Sequence, residues 1–150
     1  MIAVVRASLI LALLLQASCS MYLSTPRVAK TDLRATLSAG AEVPPTDSRG
    51  SGYFEAVYRP SSNIMEYRLN LVGLSGPITT GYLQGPAAPG ENGQQVVPIN
   101  IPIYDYTIWD GVTLTEEQAA QVIAGQWYVN VKTLQYPDGE IRGQLLPLRK

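Results

Sequence analysis

The chain predicts an all-β domain, a Greek-key sandwich or barrel with one short helix near 115–124. Three observations carry this. Apolar and polar residues alternate with period two in several runs. Turn chemistry separates those runs at Pro44-Pro45, 48–51, 60–63, 85–93 and Pro137-Asp138-Gly139. Only one stretch carries helix signals. Short strands at regular spacing with a single helix fit a two-layer or closed β architecture.

The elements follow in chain order. Residues 32–37 and 53–59 read as strands. The run 64–72 is the clearest: Met65, Tyr67, Leu69 and Leu71 fall on one face, with Glu66, Arg68 and Asn70 on the other. Residues 78–83 and 95–101 are further strands, the second pushed to an edge by Pro98. At 115–124, Thr115 with Gln118 three positions on forms a capping box, Glu116 and Glu117 suit the positive end, and Gly125 stops the helix. In 126–133, Trp127, Val129 and Val131 face inward, with Tyr128, Asn130 and Lys132 outward. In 140–146, Ile141 and Leu145 oppose Glu140, Arg142 and Gln144. Pro137-Asp138-Gly139 joins these runs as a bulged hairpin, with Gly139 at positive φ.

Residues 1–18 are an address. A single Arg6 precedes the wholly apolar run 9–15, and small residues follow: the pattern of a secretory signal, too short to span a bilayer comfortably. Cys19 comes directly after Ala17-Ser18 and is the only cysteine in the chain. This resembles a bacterial lipobox, although Gln16 stands where such motifs usually carry Leu. Acylation of Cys19 is favoured over plain secretion because a free thiol is a liability in an oxidising compartment. Several acyl chains on one residue anchor a protein stably. The organisation read from the sequence is therefore a signal peptide at 1–18, a lipidated or flexible tether at 19–31, and a β domain at 32–150. The expected location is the cell envelope, as an outer-membrane lipoprotein facing periplasm or exterior, with secretion as the alternative.

Composition narrows the chemistry. Lys+Arg number 11 and Asp+Glu 12, a net charge of −1, which gives no field to attract nucleic acid. Histidine is absent, which removes His-based triads and every His-ligated metal site. A single cysteine allows no intrachain disulfide. From Leu69 to Val131 there is no Lys or Arg, while Glu91, Asp105, Asp110, Glu116 and Glu117 all fall inside. Pairs of these acids suggest a hydrolase only formally, since Glu116 and Glu117 are explained by capping and adjacent helical residues do not face each other.

Four blocks then stand out: Leu37-Ser38-Ala39-Gly40-Ala41-Glu42-Val43-Pro44-Pro45; Gly73-Leu74-Ser75-Gly76-Pro77; Gly85-Pro86-Ala87 with Gly90 and Gly93; and the run from Trp127 to Thr133 with Tyr136-Pro137-Asp138-Gly139-Glu140-Ile141-Arg142-Gly143-Gln144-Leu145. Their order and spacing resemble the CHRD family, the domain named for chordin, across nearly the whole stretch 31–146. The resemblance implies an exported β-rich module, superoxide-dismutase-like or Ig-like in its Greek key, with no known catalytic reaction. The usual histidines of the family are replaced here by Tyr82, Gln84 and Lys132.

The sequence thus predicts a non-catalytic binding or interaction module, with no cofactor, no catalytic residue and no metal ligand. Its partner is an unidentified protein or glycan, and it meets the membrane through lipidated Cys19. Candidate binding residues are Tyr82, Gln84 and Lys132, at the replaced positions, and Tyr104, Tyr106 and Trp109, as an aromatic platform for sugar hydroxyls. The alternatives are a metal-binding or redox enzyme on a superoxide-dismutase-like scaffold and a glycan-binding module. The bland reading of the aromatics has them covering the end of the sandwich. For Glu140 and Arg142 the favoured reading is a salt-bridged surface on the outer face of the last hairpin.

Overall fold

The computed structural model describes residues 29–102 and 106–148. The signal segment, Cys19, Tyr104 and Asp105 lie outside the described residues. Among the described residues eight strands form one antiparallel sheet: β1 (Thr31–Ser38), β2 (Ser51–Arg59), β3 (Ile64–Val72), β4 (Ile78–Gln84), β5 (Gln95–Ile99), β6 (Thr107–Thr113), β7 (Trp127–Thr133) and β8 (Ile141–Pro147). Their order is β5-β4-β7-β8-β1-β2-β3-β6, which curls into a nearly closed barrel. The opening lies between β5 and β6. The β3–β4, β5–β6 and β6–β7 connections each pass from one end of this order to the other. Strand β8 returns to lie beside β1, giving the Greek-key order 8-1-2-3.

Alternation explains the interior. Leu33, Ala35 and Leu37 of β1, Phe54, Ala56 and Tyr58 of β2, and Met65, Tyr67, Leu69 and Leu71 of β3 are buried. Trp127, Val129 and Val131 of β7 and Ile141 and Leu145 of β8 meet them from the other side. Phe54 and Tyr67 stack with centroids 5.1 Å apart. Helix α1 (Glu116–Ile123) carries the expected capping box: Gln118 N–H donates to Thr115 Oγ1 at 3.1 Å, and Thr115 N–H to Gln118 Oε1 at 2.9 Å. Gly125 ends it at φ +73°. The helix is tied to the core where Trp127 Nε1–H donates to Gln121 Oε1 at 2.9 Å.

Two elements differ from the sequence reading. Strand β6 was not expected, because Trp109 faces out and Asp110 sits at an inward register position, so its apolar residues do not alternate. Strand β5 ends at Ile99, short of 101, and does lie at one end of the order, as Pro98 implied.

The two walls of the barrel differ on their outer sides. On β1-β2-β3-β6 the outward residues are wet or half-wet. On β4-β7-β8 they are buried or half-buried beneath the segment that follows β1 and the loop between β4 and β5, except Leu146 at the end of β8, which is exposed. Asn92 Nδ2 of that loop donates to the Val43 carbonyl at 3.1 Å, so the two covers are joined.

Trp127 is fully buried and half-buried Lys132 lies on the opposite face of the same strand. Trp127→Ala is expected to cost about 3–5 kcal/mol, and Lys132→Ala less than about 0.5 kcal/mol. Urea unfolding of the two variants checks the strand phase; the reverse ranking would place the core on the wrong side of β7.

Candidate functional site

Tyr82, Gln84 and Lys132 all lie on the covered wall. Cross-strand register places Gln84 opposite Tyr128, Tyr82 opposite Asn130 and Thr80 opposite Lys132. Tyr128 faces Gln144 and Asn130 faces Arg142 on β8. Tyr82, Gln84 and Lys132 therefore share one face. Gln84 is buried and accepts from the Tyr128 hydroxyl at 2.5 Å, while Tyr82 and Lys132 are half-buried.

This face corrects the reading of the last hairpin as a salt-bridged surface. Tyr128, Asn130, Glu140 and Arg142 are all buried, and Glu140 and Arg142 do not pair. The Arg142 guanidinium lies 3.5 Å from the Tyr128 ring centroid and donates to the Glu91 carbonyl at 2.6 Å and to Asn92 Oδ1 at 3.0 Å. It fastens the β4–β5 loop over the wall. Gln144 Nε2 adds bonds to the carbonyls of Ala87 and Gly125. Alternation alone signalled an outer face; the loops that cover it left no periodic signal.

Glu140 is held from several directions. Its carboxylate accepts from Ser48 Oγ at 2.6 Å, Ser75 N–H at 2.7 Å, Ser75 Oγ at 2.9 Å and Thr133 Oγ1 at 2.5 Å. Burial alone would raise its pKa, but the bonds from Ser48, Thr133 and Ser75 outweigh it and hold the carboxyl below its ordinary value. Glu42 behaves oppositely. It accepts from Asn130 Nδ2 at 3.1 and 3.0 Å, yet burial pushes its pKa up to about 7, against the pull of Arg142, Asn130 and Lys132. Asn130 Oδ1, also buried, has no donor. A cavity of about 440 Å³ opens beside this carboxyl, lined also by Val43, Gly90, Arg142 and Gln144.

The open wall carries the other candidates. Trp109 is 72% exposed, so it does not cover an end of the barrel. The Arg68 guanidinium lies over its indole at 5.1 Å, as Arg34 lies over Tyr53 at 5.1 Å. One row crosses five strands: Leu146, Arg34, Glu55, Arg68 and Trp109 are successive cross-strand neighbours. Beside it, a cavity of about 550 Å³ is lined by side chains such as Asp32, Val57, Glu66, Arg68, Trp109 and Leu148. Tyr106 is 49% exposed but lies just ahead of β6, where its carbonyl accepts from Leu71 N–H at 2.9 Å, and it does not line this cavity. The described acids of the lysine- and arginine-free stretch do not form one patch: Asp110 lies on β6, Glu116 and Glu117 lie in the first turn of α1, and Glu91 sits in the covering loop. Among the described residues no group of three or more His, Cys, Asp or Glu side chains is arranged to hold a metal ion.

The all-β barrel thus has one wall sealed by buried polar bonds and another that exposes an aromatic–cation row. The chain matches the CHRD domain model over residues 33–145 and belongs to that family. The CHRD domain is a non-enzymatic type of family and suggests a binding or interaction module. Comparison with curated proteins and with solved structures returned no match. The motif blocks now have a physical meaning. Glu42, Ser75 and the 85–93 loop, from the first three blocks, converge on the covered wall with Asn130, Glu140 and Arg142 of the fourth.

Two predictions follow from this wall. Between pH 4.5 and about 7 the folded chain keeps a proton on Glu42 that the unfolded chain, at the ordinary value of 4.5, releases. Stability therefore falls as pH rises through that window, by at most about 1.4 kcal/mol per pH unit. Glu140 contributes in the other range, where its stabilisation is lost as pH falls below its ordinary value. Glu42→Gln is expected to remove the upper slope and to be more stable than wild type at pH 8; a flat wild-type profile from pH 5 to 7 in urea titrations would contradict the burial of this carboxyl.

Gly139 has φ +154°, positive as expected and in a region that residues with side chains rarely adopt. Its deeper constraint is space, since a Cβ there would stand 2.7 Å from both Asn130 Nδ2 and Glu42 Oε2. Gly139→Ala is expected to cost about 1 kcal/mol or more, and thermal melting at pH 6 measures it.

Proposed function

We propose that this chain is an exported, lipid-anchored CHRD-domain protein that acts in the cell envelope as a non-catalytic binding module. The observation that carries the binding role is the division of labour between the two walls. On the covered wall the polar side chains are spent on holding loops, and the carboxylates Glu42 and Glu140 are each tied into that scaffolding. The open wall presents Trp109 and the charged row to solvent. Export rests on the signal pattern in residues 1–18, and anchoring on Cys19 after Ala17-Ser18. Among the described residues no helix is long and apolar enough to cross a membrane. Acyl chains on Cys19 supply the attachment in this reading.

The competing reading is a metal-dependent redox enzyme on the same type of barrel. Tyr82, Gln84 and Lys132 oppose it, since these side chains stand at the family's histidine positions and Gln84 is already engaged with Tyr128. Metal analysis of the purified protein distinguishes the two, and stoichiometric copper, zinc or iron would support the enzyme. For the anchor, wild type is expected in the membrane fraction and Cys19→Ala in a soluble or unprocessed form. Wild type found soluble after export would show simple secretion instead.

A further inference from the structure

The cavity on the open wall is the ligand site, and we infer that it takes a neutral saccharide, stacked on Trp109 and hydrogen-bonded by Arg68. The inference rests on the binding-module reading and names the ligand class for it. It stands on the side chains of the wall rather than on the anchor.

The first observation is an uncommitted donor. The Arg68 side chain makes no hydrogen bond or ion pair among the described residues, and its Nε is buried without a partner. Its cross-strand neighbour Glu55 is taken by Arg34 at 3.2 Å. A guanidinium carries five N–H donors in a fixed plane. Here the guanidinium lies 5.1 Å from the indole centroid, and no acceptor among the described residues takes its donors.

The second observation is the platform. Trp109 is the more exposed of the two tryptophans, 72% against fully buried Trp127. At the far side of the cavity, Leu148 adds apolar surface, and neighbouring Leu146 is also exposed. A pyranose offers such a surface the apolar C–H face of its ring and leaves its hydroxyls at the rim. The volume of about 550 Å³ is that of a small-ligand site.

The third observation is charge. Asp32, Glu55, Glu66 and Asp110 surround the cavity, and Lys30, Arg34, Arg59 and Arg68 answer them. Lys30 pairs with Asp32 at 2.9 Å, Arg34 with Glu55, and Arg59 with Glu66. A region of alternating, balanced charge steers neither an anion nor a cation. It does offer a neutral polyol both partners it needs: carboxylate lone pairs for hydroxyl donors and the Arg68 fan for hydroxyl acceptors. A carboxylated ligand would meet four acids, and a cationic peptide would meet four bases.

The test uses the purified protein and its own fluorescence. Exposed Trp109 supplies the long-wavelength part of the emission, and buried Trp127 the short. Maltotriose, cellotriose and tri-N-acetylchitotriose are the neutral probes, with trigalacturonic acid as the anionic and trilysine as the cationic probe. At least one neutral trisaccharide is expected to shift the long-wavelength emission to the blue, saturably, with a Kd of about 1 mM or tighter. By calorimetry Trp109→Ala is expected to lose that binding and Arg68→Ala to weaken it about tenfold. Arg68→Lys and Trp109→Phe serve where an alanine variant does not fold, and each is expected to bind more weakly than wild type. Three results would overturn the assignment: no response to any neutral probe, binding that survives all of these substitutions, or binding of the charged probes alone. Membrane fractionation reads the anchor separately, so loss of one reading leaves the other standing.

Discussion

The buried carboxylate of Glu140 is the constraint on which the rest of the barrel depends. An ionised group out of contact with water is stable only if its lone pairs are filled. Glu140 fills them with Ser48 from the β1–β2 connection, Ser75 from the β3–β4 connection and Thr133 from its own hairpin. Charge-assisted bonds of this kind are stronger than neutral ones. Thr46 adds a bond to the Glu140 carbonyl at 3.0 Å. Connections far apart in sequence are thereby fixed at one point, and one of them, β3–β4, crosses the opening of the barrel.

Once those connections are fixed, the other cover follows. The segment after β1 is held near Glu140 and brings Glu42 over Asn130. The Asn92 bond to Val43 then joins it to the β4–β5 loop, which Arg142 secures from below. Arg142 gains a Tyr128 face and two oxygen acceptors in exchange for water. Glu42 has only the Asn130 amide and the Val43 backbone as hydrogen-bond partners, with Arg142 and Lys132 acting through charge, against four donated bonds at Glu140, which is why burial dominates its protonation and not that of Glu140.

Much of the fold was legible because one physical signal, period-two alternation, reports which side of a strand meets the apolar interior. It worked for Met65, Tyr67, Leu69 and Leu71, and for Trp127, Val129 and Val131. It does not report what lies on the other side. Tyr128, Asn130, Glu140 and Arg142 read as surface because polar residues alternate with core residues whether water or a loop covers them. The capping box at Thr115 was legible because it is local. Strand β6 was not, because an outward Trp109 and an inward-register Asp110 invert the pattern at an edge. The resemblance to CHRD proteins found the right blocks without revealing their purpose, which is the bonding that closes one wall.

The pairing of Arg68 with Trp109 shows the limit of a one-dimensional reading most clearly. Forty residues of chain separate them, and nothing in either neighbourhood marks a partner. The register of β3 against β6 puts them side by side, and it is set by Leu69 against Ile108 on the inner face. The interior thus decides which residues meet on the exterior. With the loops committed to the covered wall, the open wall is free of structural duties beyond its ladder. The exposed indole adds nothing to the core, and the buried Nε of Arg68 forgoes a hydrogen bond. The barrel tolerates both, because the polar bonds that hold its loops lie on its other side.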